Sequence, residues 1–217
     1  DINLEGAKAV VQEIEAKGGT AIAVKTDITS QADVENLVDT AVETFGTVDV
    51  LVNNAGIMDN MEPAGDITDS KWEQVFAVNI TGVMRTTRKV IPIFLKRKKG
   101  VIGNIASAGG LQGCRAGAIY TSSKFAVVGF TRNTGFMYAD EGIRCNAIAP
   151  GAVETNIGTT MTNINMFGAS RQNLSMAANP RTGKPEEIAR IALFLASDDS
   201  SFINGAVIVA DAGWTAC

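Results

Sequence analysis

Three residues near the middle of the chain have the types and the spacing that carbonyl chemistry needs. Ser107 is followed by Tyr120, and Lys124 comes four residues after the tyrosine. If Tyr120 and Lys124 share a helix, this spacing places them on one face, so that the ammonium lies beside the phenol. A neighbouring cation lowers the pKa of a tyrosine from its ordinary value of about 10. The same spacing fits a surface Tyr-Lys helix pair, and both interpretations stay open at this point.

The chain has no histidine, so proton transfer near neutral pH must fall to another group. Reduction of a carbonyl needs a general acid whose pKa lies near the working pH. A tyrosine beside a lysine meets that need.

Composition indicates one globular domain that spans residues 1–217. The chain is 46% hydrophobic with 22 glycines, which fits a sizeable core and tight turns. Its net charge of −4 gives no electrostatic footprint for nucleic acid or an anionic membrane. No apolar run approaches the roughly 20 residues of a membrane-spanning helix. We therefore expect a cytoplasmic protein without nucleic-acid or membrane partners.

The three cysteines have neither metal-like spacing nor the even number of a disulfide framework. Cys114, Cys145 and Cys217 are therefore predicted to be reduced thiols, and no metal site is predicted.

Hydrophobic periodicity alternates between helical and strand patterns, which predicts an α/β fold around a mainly parallel sheet. Ser70 and Glu73 have the spacing of a capping box, so a long helix is predicted to begin there and to kink or break at Pro92. The segment 151–183 is predicted to be a long loop. The other predicted helices cover 4–17, 30–45, 118–139 and 185–196, and the predicted strands cover 21–24, 48–52, 101–106, 143–148 and 206–209.

Distinctive turns follow three of the predicted strands, where parallel sheets bind ligands. Asn53-Asn54-Ala55-Gly56 follows one strand, Ser107 a second, and Pro150-Gly151-Ala152-Val153-Glu154-Thr155 a third. Together with Tyr120 and Lys124, and in this order and spacing, they resemble the short-chain dehydrogenase/reductase family over essentially the whole chain. The resemblance implies a Rossmann-like, doubly wound parallel sheet with helices on both faces.

The resemblance also implies catalytic roles. Tyr120 is the expected general acid in reduction and base in oxidation, and Lys124 is expected to lower its pKa and hold the nicotinamide ribose. Ser107 is expected to donate a hydrogen bond to the substrate carbonyl oxygen. Asn79 matches the family asparagine that anchors a water linking Lys124 to solvent. Its alternative role is to satisfy backbone groups at an irregular helix turn.

On the adenosine side, the resemblance implies an NAD site. Asp27 is expected to accept a hydrogen bond from the adenine amine, with a helix cap as its alternative role. Asp1 resembles the acidic residue that binds the ribose hydroxyls and repels a 2′-phosphate, which favours NAD over NADP. The 53–56 turn passes the adenine ribose or, alternatively, braces the sheet. The implied residues are Asp1, Asp27, Ile28, Asn53, Ala55 and Gly56.

On the nicotinamide side, the turn after the third strand is expected to pack on the ring and fix its carboxamide. The implied residues are Tyr120, Lys124, Pro150, Gly151, Val153 and Thr155.

One departure from the family matters. The family opens with a strand, a Gly-x-x-x-Gly-x-Gly turn, a helix and a second strand, and no such glycine-rich turn occurs in this sequence. We therefore expect an N-terminally truncated fold that lacks the first two strands and the first helix. An omitted segment, proteolytic loss and a genuine truncated form are the three explanations, and we favour the first two. Such a chain is expected to bind dinucleotide poorly.

The expected function is hydride transfer between NAD(H) and a small or medium alcohol or carbonyl substrate. Thioesters of 3-oxoacyl groups and small diketones or hydroxyketones both stay open as substrates. Residues 156–183 resemble a mobile substrate lid with apolar Met161, Met166, Phe167 and Met176, although core packing under a loop would also explain these side chains. The alternatives are a truncated non-catalytic form or scaffold, and isomerisation or dehydration with the same residues. The family implies a homodimer or homotetramer through helices near 72–95 and 118–139.

Overall fold

The computed structural model describes residues 1–216 and contains a four-stranded parallel sheet. The strands lie side by side in chain order, so their carboxyl ends share one edge. Consecutive parallel strands need crossover connections, which the helices provide. The strands are β1 (Val50–Asn53), β2 (Gly100–Ile105), β3 (Ile143–Pro150) and β4 (Val207–Ala210).

Helices cover both faces of the sheet, as predicted for a doubly wound fold. The helices are α1 (Leu4–Ala16), α2 (Gln31–Phe45), α3 (Asp69–Phe76), α4 (Val83–Arg97), α5 (Ala118–Met137), α6 (Met166–Met176) and α7 (Pro185–Ala196). On one face, α2, α4 and α5 pack against β2 and β3. On the other face, Arg144 of β3 donates hydrogen bonds to Leu195 O and Ser197 O at the end of α7.

The main apolar cluster lies between the sheet and the α2–α4 pair. Phe94 of α4 and Ile102 of β2 are fully buried, and Val38 of α2 closes the cluster from outside. Cys145 is buried in the same cluster, and burial raises its thiol pKa to about 12, so this cysteine behaves as an apolar residue. Cys114 is exposed and also unpaired, whereas Cys217 lies outside the described residues.

Two sequence predictions about the helices were wrong. The capping residue of α3 is Thr68 rather than Ser70, because the Thr68 hydroxyl accepts the Lys71 amide at 3.3 Å. Pro92 does not break α4, whose buried residues on both sides of the proline keep it packed on the sheet. The irregularity falls earlier, in a π-helical stretch over Ala77–Gly82 that joins α3 to α4.

Two segments differ from the predicted loop and strand assignments. Residues 21–24 form neither a helix nor a strand, and no strand among residues 1–216 pairs with them. The predicted loop 151–183 contains α6. Asn165 caps this helix, since its Oδ1 accepts the Gly168 N–H at 2.9 Å. No residue of α6 is buried, so its sequence lacks the apolar periodicity that identifies packed helices.

None of the helices described here is long and apolar enough to cross a bilayer.

Candidate active site

Ser107 and Tyr120 meet beyond the carboxyl end of β2. Ser107 starts a short 3₁₀ turn in which its hydroxyl accepts the Gly109 amide at 3.0 Å, and it also hydrogen-bonds to the phenol of Tyr120. A Cβ atom on Gly109 would lie 3.4 Å from Ser107 Oγ and 3.5 Å from Tyr120 Cε1. The glycine therefore leaves the space beside both hydroxyl-bearing side chains open.

Lys124 lies one turn further along α5, as its spacing from Tyr120 predicted. Its ammonium donates a hydrogen bond to Ile105 O at 2.8 Å and lies 5.5 Å from the centre of the Tyr120 ring. Both side chains are buried, with 3% of Lys124 and 7% of Tyr120 exposed. The pair is therefore part of the protein interior rather than a surface helix pair.

Burial sets the pKa values of this pair. It lowers the pKa of Lys124 from 10.5 to about 8, because the low-dielectric interior disfavours the charged ammonium. Burial also raises the pKa of Tyr120, and the hydrogen bond with Ser107 only partly offsets this rise. The expectation that Lys124 brings the tyrosine pKa below its ordinary value is therefore corrected: in this structure burial and the charge of Asp59 raise the pKa of Tyr120.

Asn79 lies in the π-helical stretch and is completely buried. Its amide oxygen accepts Ile57 N–H at 2.9 Å, and its amide nitrogen donates to Ile57 O and to Ser123 Oγ, each at 3.0 Å. A Cβ atom on Gly56 would lie 3.5 Å from both Asn79 Oδ1 and Lys124 Nζ. The structure thus brings Asn79 next to Lys124 and shows it bonding backbone groups, the alternative role that the sequence left open.

Asp59 lies against the catalytic cluster, defined here as the candidate catalytic residues Asn79, Ser107, Tyr120 and Lys124, although no sequence motif indicated this position. The side chain is fully buried, and its carboxylate accepts the backbone N–H of Tyr120 at 2.9 Å and of Gly117 at 3.2 Å. Burial raises the pKa of this carboxyl, and its backbone hydrogen bonds oppose that rise. The Asp-Asn dipeptide after the 53–56 turn reads as ordinary turn composition, so only the fold reveals the long-range contact.

Asn53 braces the sheet from inside. Its amide nitrogen donates to Asn104 Oδ1 at 2.8 Å, and its amide oxygen accepts the Thr86 hydroxyl at 2.6 Å. Asn104 in turn donates to Thr131 of α5 at 2.9 Å. These bonds link β1, β2, α4 and α5, so the Asn53 side chain braces the sheet, whereas Asn54 and Ala55 of that turn are exposed.

The other residues that were expected to contact the adenosine lie within the first fifty residues of the chain. Asp27 accepts the Thr29 N–H at 2.8 Å and the Thr29 hydroxyl at 2.7 Å, and the Thr29 hydroxyl bond holds its pKa below the ordinary value. Ile28 packs against Gly82, where an added Cβ would lie 2.7 Å from Ile28 Cγ1. Asp1 is exposed, and its carboxylate accepts Asn3 N–H at 2.8 Å. The structure shows no direct bond from these residues to the catalytic cluster.

The nicotinamide-side residues follow β3 at the carboxyl edge of the sheet. Pro150 ends that strand, and Gly151 packs so closely on Asp211 that an added Cβ would lie 2.7 Å from Asp211 Cβ. Val153 forms an isolated bridge with Gly183. Thr155 is exposed and caps the short helical turn Asn156–Thr160 through its hydroxyl. The whole turn is therefore held close to the edge at which β1 and β2 also end.

The lid segment, defined here as residues 156–176, is attached to the catalytic cluster through residues 58–60. Thr160 Oγ1 accepts Met58 N–H at 2.9 Å, and Asn60 Oδ1 accepts Thr162 N–H at 3.0 Å. An open groove of about 570 Å³ lies beside this junction and has polar lining residues, among them Asn60, Glu62 and Asn165. The groove borders the cluster rather than containing Tyr120.

Arg115 provides a second attachment for the lid that the sequence did not reveal. Its guanidinium lies 3.9 Å from the Trp214 ring centre and donates to Trp214 O and to Ser175 O of α6. Gln172 of α6 donates in return to Arg115 O at 2.5 Å. The loop between Ser107 and Tyr120 is therefore tied to both α6 and the last turn of the described chain.

Several known proteins are similar to this chain in sequence and fold. A family model described as enoyl-(acyl carrier protein) reductase matches residues 1–215. The 3beta-hydroxysteroid dehydrogenase 2 of Eggerthella lenta is 48% identical over 217 residues, covering 100% of this chain and 84% of that protein. Cyclohexanol dehydrogenase of an Acinetobacter species is 35% identical over 99% of this chain and 83% of its own length. The crystal structure of levodione reductase superposes with a TM-score of 0.88 at 35% identity, covering 99% of this chain and 84% of that one.

Proposed function

Because the chain belongs to the short-chain dehydrogenase/reductase family of oxidoreductases, we propose that it transfers a hydride between NAD(H) and a small or medium alcohol or carbonyl substrate. Tyr120 is the general acid in reduction and the general base in oxidation. The observation that supports this proposal is the buried contact of Tyr120 with Ser107, one turn from Lys124. A scaffold has no chemical need to bury a lysine whose pKa is lowered to about 8.

The residues at the carboxyl edge fit the nicotinamide half of a dinucleotide. Ala55 and Thr155 are exposed there, and Lys124 Nζ would contact any Cβ on Gly56 at 3.5 Å, so the glycine lets a ligand come close to the ammonium. The ammonium has three donor hydrogens, and Ile105 O accepts one of them. The remaining donors are available for ribose hydroxyls and for a water. When bound, the nicotinamide supplies or accepts the hydride.

The protein residues divide the remaining work of the reaction. In reduction, Tyr120 donates its phenol proton to the carbonyl oxygen, and the Ser107 hydroxyl donates a hydrogen bond to the same oxygen. Lys124 stabilises the phenolate that is left and returns a proton to it through a water. Asn79 acts through Ile57, whose backbone N–H and C=O it holds next to Lys124. In oxidation the proton moves in the opposite direction.

NAD rather than NADP is part of the proposal. Asp1 is exposed, and its carboxylate at the start of the described chain would repel a 2′-phosphate while accepting ribose hydroxyls. For the substrate we propose a cyclic secondary alcohol and its ketone. The relatives are named for a hydroxysteroid, cyclohexanol and levodione, and the exposed Met166 and Phe167 of the lid offer apolar surface.

The test is turnover of cyclohexanol and of a 3-hydroxysteroid with NAD and with NADP. Tyr120→Phe should lower kcat by about 10²- to 10⁴-fold, the range that general acid-base catalysis contributes. The matched control is Tyr138→Phe, which changes the other tyrosine of the chain, at the far end of α5. Both variants should keep the wild-type melting temperature within a few degrees.

Retained turnover in Tyr120→Phe would contradict the mechanism. A preference for NADP would contradict the role of Asp1. If the wild-type protein neither turns over these alcohols nor binds NADH, the non-catalytic alternative replaces this proposal.

A further inference from the structure

The helix that carries Tyr120 lacks a capping side chain of its own. Its N-cap residue is Gly117, which provides no side-chain hydrogen bond, and Tyr120 is the third residue of the helix. The first amide hydrogens of a helix have no partner within the helix, and burying them without one is costly. The start of α5 is buried, since Gly117 and Tyr120 are both inaccessible. Another part of the molecule must therefore supply the missing acceptor.

Asp59 supplies that acceptor from 58 residues away in sequence. One carboxylate oxygen accepts the Tyr120 N–H at 2.9 Å, which is the bond that a serine or aspartate at the N-cap would make. The other oxygen accepts the Gly117 N–H at 3.2 Å. A Cβ on Gly117 would lie 2.4 Å from Asp59 Oδ2, although the backbone angles at Gly117 (φ −70°, ψ 175°) suit any residue. Glycine occupies the N-cap because Asp59 already fills the space.

The carboxylate is itself held in a fixed place. Asp59 Oδ1 also accepts the Met61 N–H at 3.0 Å, across a turn in which Met61 adopts a left-handed backbone with φ 64°. Two residues before Asp59, the backbone of Ile57 is bound by Asn79 through both its N–H and its C=O. On the other side, Glu62 O accepts the Ala118 N–H at 2.9 Å. The 57–62 segment thus connects Asn79 to the first turn of α5.

We propose that Asp59 is a positioning residue for the reaction: its carboxylate caps α5 from outside and so holds Tyr120 against Ser107. The inference rests on the proposed function for its kinetic consequences, whereas the capping geometry stands without it. A negative group at a helix N-terminus also complements the helix dipole, which favours an aspartate over a neutral acceptor at this place.

The charge of Asp59 has a second effect, on the proton affinity of Tyr120. Burial raises the pKa of the Tyr120 phenol most, the Ser107 hydrogen bond lowers it, and Asp59 raises it further. The nearest cation on the same helix is Lys124, whose Nζ lies 5.5 Å from the centre of the Tyr120 ring. Glu62, the other acidic group of the segment, raises the pKa of Asp59 itself. Removing the charge of Asp59 should therefore lower the pKa of Tyr120, which favours the phenolate that serves as base in alcohol oxidation.

The first experiment reads Tyr120 directly and needs no turnover. The chain has two tyrosines, so Tyr138→Phe leaves Tyr120 as the single phenol, and its ultraviolet absorbance reports its ionisation. In that background, Asp59→Asn should move the titration midpoint to lower pH by about 0.5 unit or more, as expected for loss of a nearby like charge. The control is Glu187→Gln, which neutralises a carboxylate that caps α7, a helix without a catalytic residue. This control should leave the midpoint unchanged.

The second experiment separates position from charge by kinetics. Asp59→Ala should lower kcat for alcohol oxidation by about 10- to 100-fold, because displacement of a catalytic group by about 1 Å has effects of that size. The double variant Asp59→Ala/Gly117→Ser places a serine at the N-cap in the space that the carboxylate leaves, where its hydroxyl can accept the Tyr120 N–H. It should recover most of kcat, and its pH profile should keep the shift to lower pH. Gly117→Ser alone should lose activity, because its Cβ meets Asp59.

These outcomes distinguish the inference from a general loss of stability and from the proposed function. An unchanged Tyr120 titration in Asp59→Asn would overturn the charge effect of Asp59 on Tyr120. A kcat loss that Gly117→Ser does not recover in the Asp59→Ala background would overturn the positioning role. A melting temperature that falls in Asp59→Ala while kcat stays within twofold of wild type would also overturn it. If the wild-type protein shows no turnover, the proposed function fails and the titration still decides whether Asp59 controls Tyr120.

Discussion

The catalytic cluster and the lid segment lie side by side but are built in opposite ways. Asn79, Tyr120 and Lys124 are buried, and each one is fixed by hydrogen bonds to the protein. In the lid, Met166 is 76% exposed and Phe167 is 64% exposed, and α6 has no buried residue. The residues proposed to transfer protons are therefore held in the core, whereas the residues proposed to contact the substrate lie at the surface. Changes in the cluster should affect stability and kcat together, and changes in the lid should affect mainly KM.

The two regions are connected at few points, so they can vary separately. Residues 58–60 and Arg115 provide the hydrogen bonds that join the lid to the cluster. Each connection goes to the backbone or to a polar side chain of the lid rather than to its apolar residues. The apolar surface of the lid can change without disturbing the attachment.

Lys124→Met should give the largest effect in the cluster. Methionine keeps the length of the side chain but removes both the cation beside Tyr120 and the donor to Ile105 O. We expect kcat/KM for alcohol oxidation to fall by about 10²-fold or more, about 3 kcal/mol of transition-state stabilisation. Steady-state kinetics measure this, and Lys89→Met on the partly exposed face of α4 is the control. Turnover within threefold of wild type would remove Lys124 from the mechanism.

The same variant should change how stability depends on pH. The pKa of Lys124 is about 8 in the folded protein and 10.5 ordinarily, so between these values the unfolded chain binds more protons than the folded one. Lys124 therefore makes stability rise with pH from about 8 to 10.5. Cys145 acts in the opposite direction from about pH 9 upward, because its pKa is raised from 9.0 to about 12, so the rise due to Lys124 is clearest between about pH 8 and 9. Urea unfolding at several pH values should show the rise in wild type and its loss in Lys124→Met.

Asn79→Ala should be the next largest change. It removes the acceptor for Ile57 N–H and the donors to Ile57 O and Ser123 Oγ, all in the interior. Leaving such buried groups unpaired should lower the free energy of unfolding by about 2–4 kcal/mol. Denaturant unfolding measures this, with the exposed Asn36→Ala on α2 as control. If both variants unfold at the same urea concentration, the side-chain hydrogen bonds of Asn79 do not stabilise the catalytic cluster.

Much of the fold could be predicted from the sequence, and the physical reason is periodicity. The four ladder strands and the helices α2, α5 and α7 place apolar residues in the core, and their predicted positions were confirmed, as was that of α1, which buries no residue. α6 buries nothing either, and its apolar residues follow the helical period more weakly than those of α1, so no helix was predicted there. Residues 21–24 show the opposite case, since their apolar pattern predicts a strand and no strand among the described residues pairs with them.

Local sequence motifs indicated candidate site residues that the structure brings together. Residues that reach the site only through long-range contacts were missed. Ser107, Tyr120, Lys124 and Asn79 meet as the family resemblance implied. The direction of their pKa shifts could not be predicted, because burial is the largest cause for both Tyr120 and Lys124 and depends on packing. Contacts between residues far apart in sequence, such as Asp59 with α5 or Arg115 with α6, leave no local pattern.

Asn60→Ala should loosen the attachment between the two regions with a smaller effect. Asn60 Oδ1 accepts Thr162 N–H at 3.0 Å and Asn163 N–H at 3.4 Å, and the Asn60 backbone O accepts Asn165 N–H at 2.8 Å, so the variant removes two of these three bonds. We expect KM to rise by about three- to tenfold, about 1 kcal/mol, with kcat within twofold. The control is Asn173→Ala on the exposed face of α6. An equal loss in kcat would mean that the lid and the cluster do not vary separately.

Phe167→Ser should have the smallest effect on the protein and a selective effect on the substrate. Because this ring is 64% exposed, its loss should change the free energy of unfolding by less than about 0.5 kcal/mol. If the ring covers apolar substrate, KM should rise more for a 3-hydroxysteroid than for cyclohexanol, since the larger substrate has more surface to lose. Phe202→Ser removes a fully exposed ring outside the lid and should change neither KM. Equal changes in KM for both alcohols would mean that the lid excludes water without selecting substrate size. The apolar surface of the lid would then have no part in substrate choice.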